Sequence, residues 1–190
     1  MSDRSKKSVE KTISYSKPGS DLRLAIPNAI TLLRLFALPH LIWSFSHEIT
    51  FAVYSLFLFS MGSDLVDGYI SRKMGVNSKF GANLDTAVDF LFISGMFLAF
   101  VLKGIYSVGI IFLIVFMFAQ FTLTNRYFGK TVYDPIGKYY GSLLFGGIGF
   151  TLLFPEQAMY NIVTIGIVAS TAAAVLSRLV FFYRSKIKAR

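Results

Sequence analysis

Cysteine is absent from this 190-residue chain, so disulfides and thiolate metal centres are excluded, and the usual guide to redox compartment is missing. Charge is scarce as well: 15% of residues are charged, where soluble domains carry about a quarter. Acids are scarcer still, ten against nineteen Lys and Arg. What fills the chain instead is apolar, 54% of it, in long blocks. That profile excludes an ordinary soluble domain and reads as membrane-embedded, with one domain expected at this length. In a soluble protein the net charge of +9 would raise nucleic acid as a partner. Here the basic residues sit at the termini and in short connections of an apolar chain. There they mark a cytoplasmic side and touch anionic lipid, and no nucleic-acid partner is expected.

A spanning helix needs about 20 mostly apolar residues. Six segments qualify, running from Pro27 to about Phe45, Ile49 to Tyr69, Phe80 to Leu102, Ile105 to Asn125, Gly137 to Phe154 and Gln157 to Tyr183. The expected fold is therefore an all-α integral membrane bundle of six transmembrane helices, with an N-terminal interfacial helix as a further option. Pro27 suits a first helical turn, where its missing N–H is not needed. Lys103-Gly104 and Pro155-Glu156 read as very short links between antiparallel neighbours. Gly141, Gly146, Gly147 and Gly149 read as close-packing positions on the fifth helix. Tyr139 and Tyr140 read as interfacial anchors.

Residues 1–25 read as a cytoplasmic lead, disordered at its start or lying as a helix on the membrane, and 185–190 as a basic tail. The first apolar stretch begins only near Ile26, after a polar, basic lead, so no cleavable signal peptide is expected. Basic residues cluster before the first segment, between the second and third, between the fourth and fifth, and after the sixth. The opposite connections carry only His47, Glu48, Lys103 and Glu156. Both termini are thus expected in the cytoplasm, in a multi-pass protein of the cell (inner) membrane.

Against this apolar background, Asp64, Asp67, Asp85 and Asp89 stand at the ends of two adjoining helices. Each unpaired charge at such a place costs about 3 kcal/mol or more. Asp64 and Asp67 share one helix face, as do Asp85 and Asp89. The two helices run in opposite senses, so the four carboxylates can meet at one depth. Asp64 lies about 20 Å along a helix that begins near Phe51, which places the cluster near headgroup level on the cytoplasmic side. Divalent cations would relieve the repulsion, and an all-oxygen donor set suits magnesium, manganese or calcium rather than zinc. Two carboxylate-held metals are a common device for phosphoryl chemistry. Gly68 and Gly81 beside the acids would let a bulky ligand approach the backbone, and Arg72 and Lys73 could neutralise phosphates. His40 and His47 lie toward the far side and are poor ligands for this cluster.

The stretch from Asp64 to Asp89 resembles the signature of the CDP-alcohol phosphatidyltransferase family, D-x-x-D-G-x-x-A-R, eight residues, then G-x-x-x-D-x-x-x-D. The matching residues are Asp64, Asp67, Gly68, Arg72, Gly81, Asp85 and Asp89, and the one departure is Ser71 in place of alanine. The opening from Ile26 to Arg34 also looks like the first helix of that family. The resemblance extends through the six-helix layout over residues 26–184. It implies an enzyme that moves a phosphatidyl-type group from a CDP-activated lipid to an alcohol and releases CMP. It implies two divalent cations, magnesium or manganese, held by Asp64, Asp67, Asp85 and Asp89, with Asp89 as general base. Gly68, Ser71, Arg72 and Gly81 would line the CDP pocket, with Asn28 and Thr31 as further members, and Arg34 either contacts ligand or pairs with a motif aspartate. The family is commonly homodimeric.

For the acceptor, Arg126, Lys138 and Arg178 are basic residues expected near the same face, able to hold a phosphorylated polyol. The opening from Pro27 to Arg34 and the Gly137-Lys138 pair look most like glycerophosphate-using members, although Tyr140 stands where those often carry a second lysine. Inositol phosphate and serine remain open. The competing function is a divalent-cation channel or transporter using the aspartates as its binding site. No matching acidic site occurs on the other side, which argues against it. An inactive scaffold of the same fold would have lost a motif acid, and none is lost.

Overall fold

The structure, a computed structural model, describes residues 20–74, 79–128 and 135–188. For residues 20–28, 64, 67–74, 79–80, 82, 124–128, 135–138 and 180–188 it describes the helix path alone. The described residues form six α-helices and no strand. These are α1 (Ser20–Ser46), α2 (Thr50–Met74), α3 (Lys79–Leu102), α4 (Gly109–Phe128), α5 (Pro135–Leu153) and α6 (Gln157–Lys188). Three windows are long and apolar enough to cross a membrane: Ala29–Ser46, Asn83–Leu102 and Gln157–Leu179. Three shorter apolar stretches accompany them, at Thr50–Ser63, Gly109–Leu123 and Tyr139–Leu153. Large apolar side chains face outward from the bundle, among them Phe51 at 84% exposure and Phe112 at 70%. So many large apolar side chains on the described surface suit the exterior of a membrane protein.

The core lies where α3 passes between its neighbours. Phe92, Met96, Phe97 and Phe100 of α3 are fully buried, together with Leu41 of α1, Ile148 of α5 and Ile167 of α6. Their spacing on α3 is the 3–4 residue stripe of a helix packed along one face. Phe145 of α5 joins the halves by stacking on both Phe57 of α2 and Phe92 of α3. Helix α1 packs against α2 and α3, and α6 against α4 and α5.

Most of the described hydroxyls inside the bundle are satisfied locally, as an apolar setting favours, the buried Ser94 Oγ being an exception. Thr151 donates to the Gly147 carbonyl and Thr171 to the Ile167 carbonyl, both at 2.7 Å. Each therefore accepts from a tyrosine, Thr151 from Tyr106 and Thr171 from Tyr140. Tyr106 lies in the α3–α4 connection, where burial raises its pKa above 10.0 against the lowering effect of the Thr151 bond. Tyr54 of α2 donates to the Leu152 carbonyl of α5.

Several expectations are corrected. Pro27 is not in a first turn, because α1 already begins at Ser20 and carries the proline within it. The fourth helix begins at Gly109 rather than Ile105, and the α3–α4 link spans Lys103 to Val108 rather than two residues. Gly104 takes φ +75, and the Gly104 and Ile105 amides donate to the Val101 and Phe100 carbonyls, closing α3 with a Schellman motif. Ser107 then caps α4, its hydroxyl accepting from the Gly109 amide at 3.2 Å. Ile105 and Tyr106 look helical by hydropathy alone, yet they are turn residues folded back toward the core. Of the four α5 glycines expected at close-packing positions, only two pack closely. A Cβ on Gly147 would come 3.2 Å from Val163, and one on Gly149 would come 3.3 Å from Phe57. At Gly141 and Gly146 a Cβ would meet nothing within 4 Å. Tyr140 is buried within the bundle rather than anchored at an interface, whereas Tyr139 is exposed.

Candidate active site

The two ends of the bundle differ in chemistry. At one end Glu48 of the α1–α2 turn and Lys103 of the α3–α4 link meet at 3.4 Å on the surface. An exposed pair of this kind contributes at most a few tenths of a kcal/mol or so. The other end holds the start of α3, the early turns of α1 and the late turns of α6, and there two arginines, Arg34 and Arg178, are buried.

On α1 the buried residues Thr31, Arg34, Leu38 and Leu41 form one stripe facing the bundle. Arg34 is completely buried. On α3, Asp85 and Asp89 continue the core stripe of Phe92 and Met96 toward the helix start, so both carboxylates face inward rather than toward lipid. Packing of α1 on α3 brings the stripes together. Arg34 donates a hydrogen bond from Nη1 to Asp89 Oδ1 and lies 3.8 Å from Asp85 Oδ1. The aspartate side chains remain 44% and 38% exposed, open to a ligand, while the arginine is sealed. Arg34 thus faces both carboxylates.

Below Asp89 opens a cavity of about 220 Å³ walled by α3, α4, α5 and α6. Asp89, Thr86, Tyr140 and Arg178 supply its polar groups. Arg178 is buried, its guanidinium carbon 5.8 Å from the centroid of Phe121. The opposite wall is the stacked pair Phe90 and Phe118, with centroids 3.8 Å apart.

Asp85, Asp89, Arg34 and Thr31 are thus gathered at one end of the bundle, and Arg178 joins Asp89 at the cavity. Gly81 sits one helical turn before Asp85, half-buried. Asp64, Asp67, Gly68, Ser71 and Arg72 fall on the last turns of α2, Asn28 on α1, Arg126 on α4 and Lys138 on α5, and their side chains lie outside the described residues. His40 and His47 are exposed, each ring bonded to a carbonyl of α1. Among the described residues no group of three or more potential metal ligands forms. The described pair, two accessible carboxylates one turn apart with oxygen donors only, fits magnesium or manganese and would need α2 to complete the ligand set. Tyr140, Thr171 and Thr86 are polar members of the region that the motif did not indicate. The signal for Tyr140 was its place two residues after Lys138, and none marked the other two.

An all-helical membrane protein with buried charge at one end of its bundle and a cavity below is the class the fold defines. The profile described as CDP-alcohol phosphatidyltransferase matches residues 24–183, and the chain belongs to that family. It is 32% identical over 97 residues, 51% of this chain, to the chloroplastic CDP-diacylglycerol–glycerol-3-phosphate 3-phosphatidyltransferase 1 of Oryza sativa subsp. japonica. To the CDP-diacylglycerol–glycerol-3-phosphate 3-phosphatidyltransferase of Pseudomonas fluorescens it is 35% identical over 77 residues, 36% of this chain. To a CMP-forming cardiolipin synthase of Oryza sativa subsp. japonica it is 38% identical over 74 residues, 37% of this chain. The matches span 30%, 37% and 22% of those relatives' own lengths.

Proposed function

We propose that this protein is a metal-dependent transferase of phospholipid synthesis. It moves a phosphatidyl-type group from a CDP-activated lipid to a polar alcohol. The acceptor oxygen forms a bond to the lipid-bearing phosphorus, the bond from that phosphorus to the bridging pyrophosphate oxygen breaks, and CMP leaves. The acceptor proton passes to Asp89. The observation that carries this reading is the position of Asp89, which takes a hydrogen bond from sealed Arg34 and also lines a cavity with buried Arg178.

Arg34 orients the Asp89 carboxylate and offsets part of the local negative charge. Arg178 is placed to hold an anionic acceptor group, with Arg126 and Lys138 as further candidates. Two divalent cations held by Asp64, Asp67, Asp85 and Asp89 would supply charge stabilisation for the displacement. Thr31, Asn28, Gly68, Ser71, Arg72 and Gly81 are assigned to the CDP moiety. Glycerol phosphate is the preferred acceptor, supported by the names of the rice and Pseudomonas relatives, ahead of inositol phosphate and serine. The bundle is assigned six membrane crossings, with the acidic end and both termini in the cytoplasm, on the distribution of basic residues. A homodimer is the proposed assembly.

The test is CMP release from a CDP-activated lipid with magnesium or manganese, across glycerol phosphate, inositol phosphate, inositol and serine. Asp89→Asn is expected to lower turnover by about a hundredfold or more, the scale of general-base catalysis, in protein that still folds. Full turnover in that variant would remove Asp89 from the role.

A further inference from the structure

Arg34 meets both acids of α3 through a single atom, and it meets the same oxygen of each. Nη1 donates to Oδ1 of Asp89 and lies 3.8 Å from Oδ1 of Asp85. The Asp85 carboxylate is divided by its surroundings. Its Oδ1 is buried while the side chain as a whole is 44% exposed, so the exposure belongs to the other edge. Asp89 has its Oδ1 engaged by the same sealed nitrogen, and its side chain is still 38% exposed. Both carboxylates thus give Oδ1 to the arginine and keep Oδ2 as the edge that a ligand from outside can reach.

The arginine has no room to step aside. It is completely buried. One turn further along α1, Leu38 presses on α3 so closely that a Cβ on Gly95 would come 3.0 Å from its Cδ2. Val88, between the two acids, is buried as well. This packing holds the guanidinium at the level of the acids, and drawing a buried cation away from its carboxylates is strongly unfavourable. A cation that arrives at the acids therefore shares them with Arg34.

Sharing limits how the carboxylates can be used. Calcium takes about six to eight oxygens in a flexible shell and accepts both oxygens of one carboxylate. Magnesium demands a near-ideal octahedron, and the narrow bite of a two-oxygen contact does not fit its right angles. We infer that Arg34 is a positioning residue that sets cation choice: by holding Oδ1 of Asp85 and Asp89, it restricts each to one oxygen toward a bound cation, which shifts preference from calcium toward magnesium or manganese. The inference rests on the metal-dependent reading above and adds to it a source of selectivity. The charge of Arg34 is not that source, because a fixed cation repels all divalent ions alike. A purely structural ion pair would affect stability and leave ion preference unchanged.

The experiment is manganese binding to the purified full-length protein in detergent, read from loss of the free-ion paramagnetic resonance signal, with calcium and magnesium titrated as competitors. No lipid or nucleotide is added, so turnover plays no part. Arg34→Met is expected to tighten all three ions by removing a positive charge, and to strengthen calcium several-fold more than magnesium. Arg34→Gln takes its place should the first variant fail to fold, with the same expected change in ratio. Calcium and magnesium strengthened by the same factor, or magnesium by the larger one, overturns the inference and leaves the metal-dependent reading standing. Absence of manganese binding by folded wild-type protein sinks that reading and the inference with it.

Discussion

Arg34 is sealed inside the bundle while the two carboxylates it faces are each more than a third exposed. That asymmetry sets the expected cost of losing it. Arg34→Met leaves Asp85 and Asp89 one turn apart with this cation gone. Unfolding in detergent should show a loss of roughly 3 kcal/mol, the low end for a broken buried pair, because solvent screens the acids. A loss within a few tenths of a kcal/mol would mean that other groups neutralise the pair. A second residue-scale case lies at the opposite end of the molecule. Glu48 holds φ 60 in the turn that closes α1, where its amide and that of Ile49 bond back to Phe45 and Ser44. A side chain in this left-handed region costs about 1–2 kcal/mol, and glycine avoids the clash. Glu48→Gly is expected to raise stability by roughly 1 kcal/mol despite losing the surface contact with Lys103. A lowered melting temperature would show that the contact matters more than its exposure suggests.

At the scale of helices, α5 separates two kinds of glycine that a motif cannot tell apart. Gly149 abuts the Phe57 ring of α2, while Gly146 faces open space. Gly149→Leu should force α2 and α5 apart and lower stability by about 1–3 kcal/mol, the usual range for overpacking. Gly146→Leu should be neutral, or stabilising by up to about 1 kcal/mol through helix propensity. Thermal unfolding of the two variants side by side decides it, and equal effects would contradict the packing described. The same element shows why Tyr140 was misread. Its neighbour Tyr139 points outward, and the residues are identical in type. Only the 100° turn of the helix between them sends one toward Thr171 and the other to the surface.

For the molecule as a whole, the proposed metal site joins α2 to α3, so cation binding should stabilise the assembled bundle by mass action. A cation at a hundredfold excess over its Kd contributes about 2.7 kcal/mol when it binds only the folded state. Manganese titrated into chelator-treated protein is therefore expected to raise the melting temperature, and Asp85→Asn to blunt that rise. No rise in the wild type would count against a cation at these acids.

Sequence alone was enough for the existence of six helices, because long apolar blocks have few other solutions, although only three of them hold a described window of spanning length, and for the acidic motif, because carboxylates are too costly in such blocks to be incidental. It was enough to put Asp85 and Asp89 on one helix face, from their four-residue spacing, while the buried Phe92 and Met96 of the folded helix showed which way that face points. Helix ends were less legible: Ile105 and Tyr106 are apolar, and hydropathy cannot distinguish a buried turn from a helix start. Tertiary structure alone decided that Arg34 meets Asp89, residues 55 positions apart. It alone decided that Arg178 shares a cavity with Asp89, and which α5 glycines touch a neighbour. The reason is physical. Hydrophobic pattern is a local, repeating property that each helix carries by itself, whereas pairing and void space belong to the gaps between helices and exist only once the bundle is assembled.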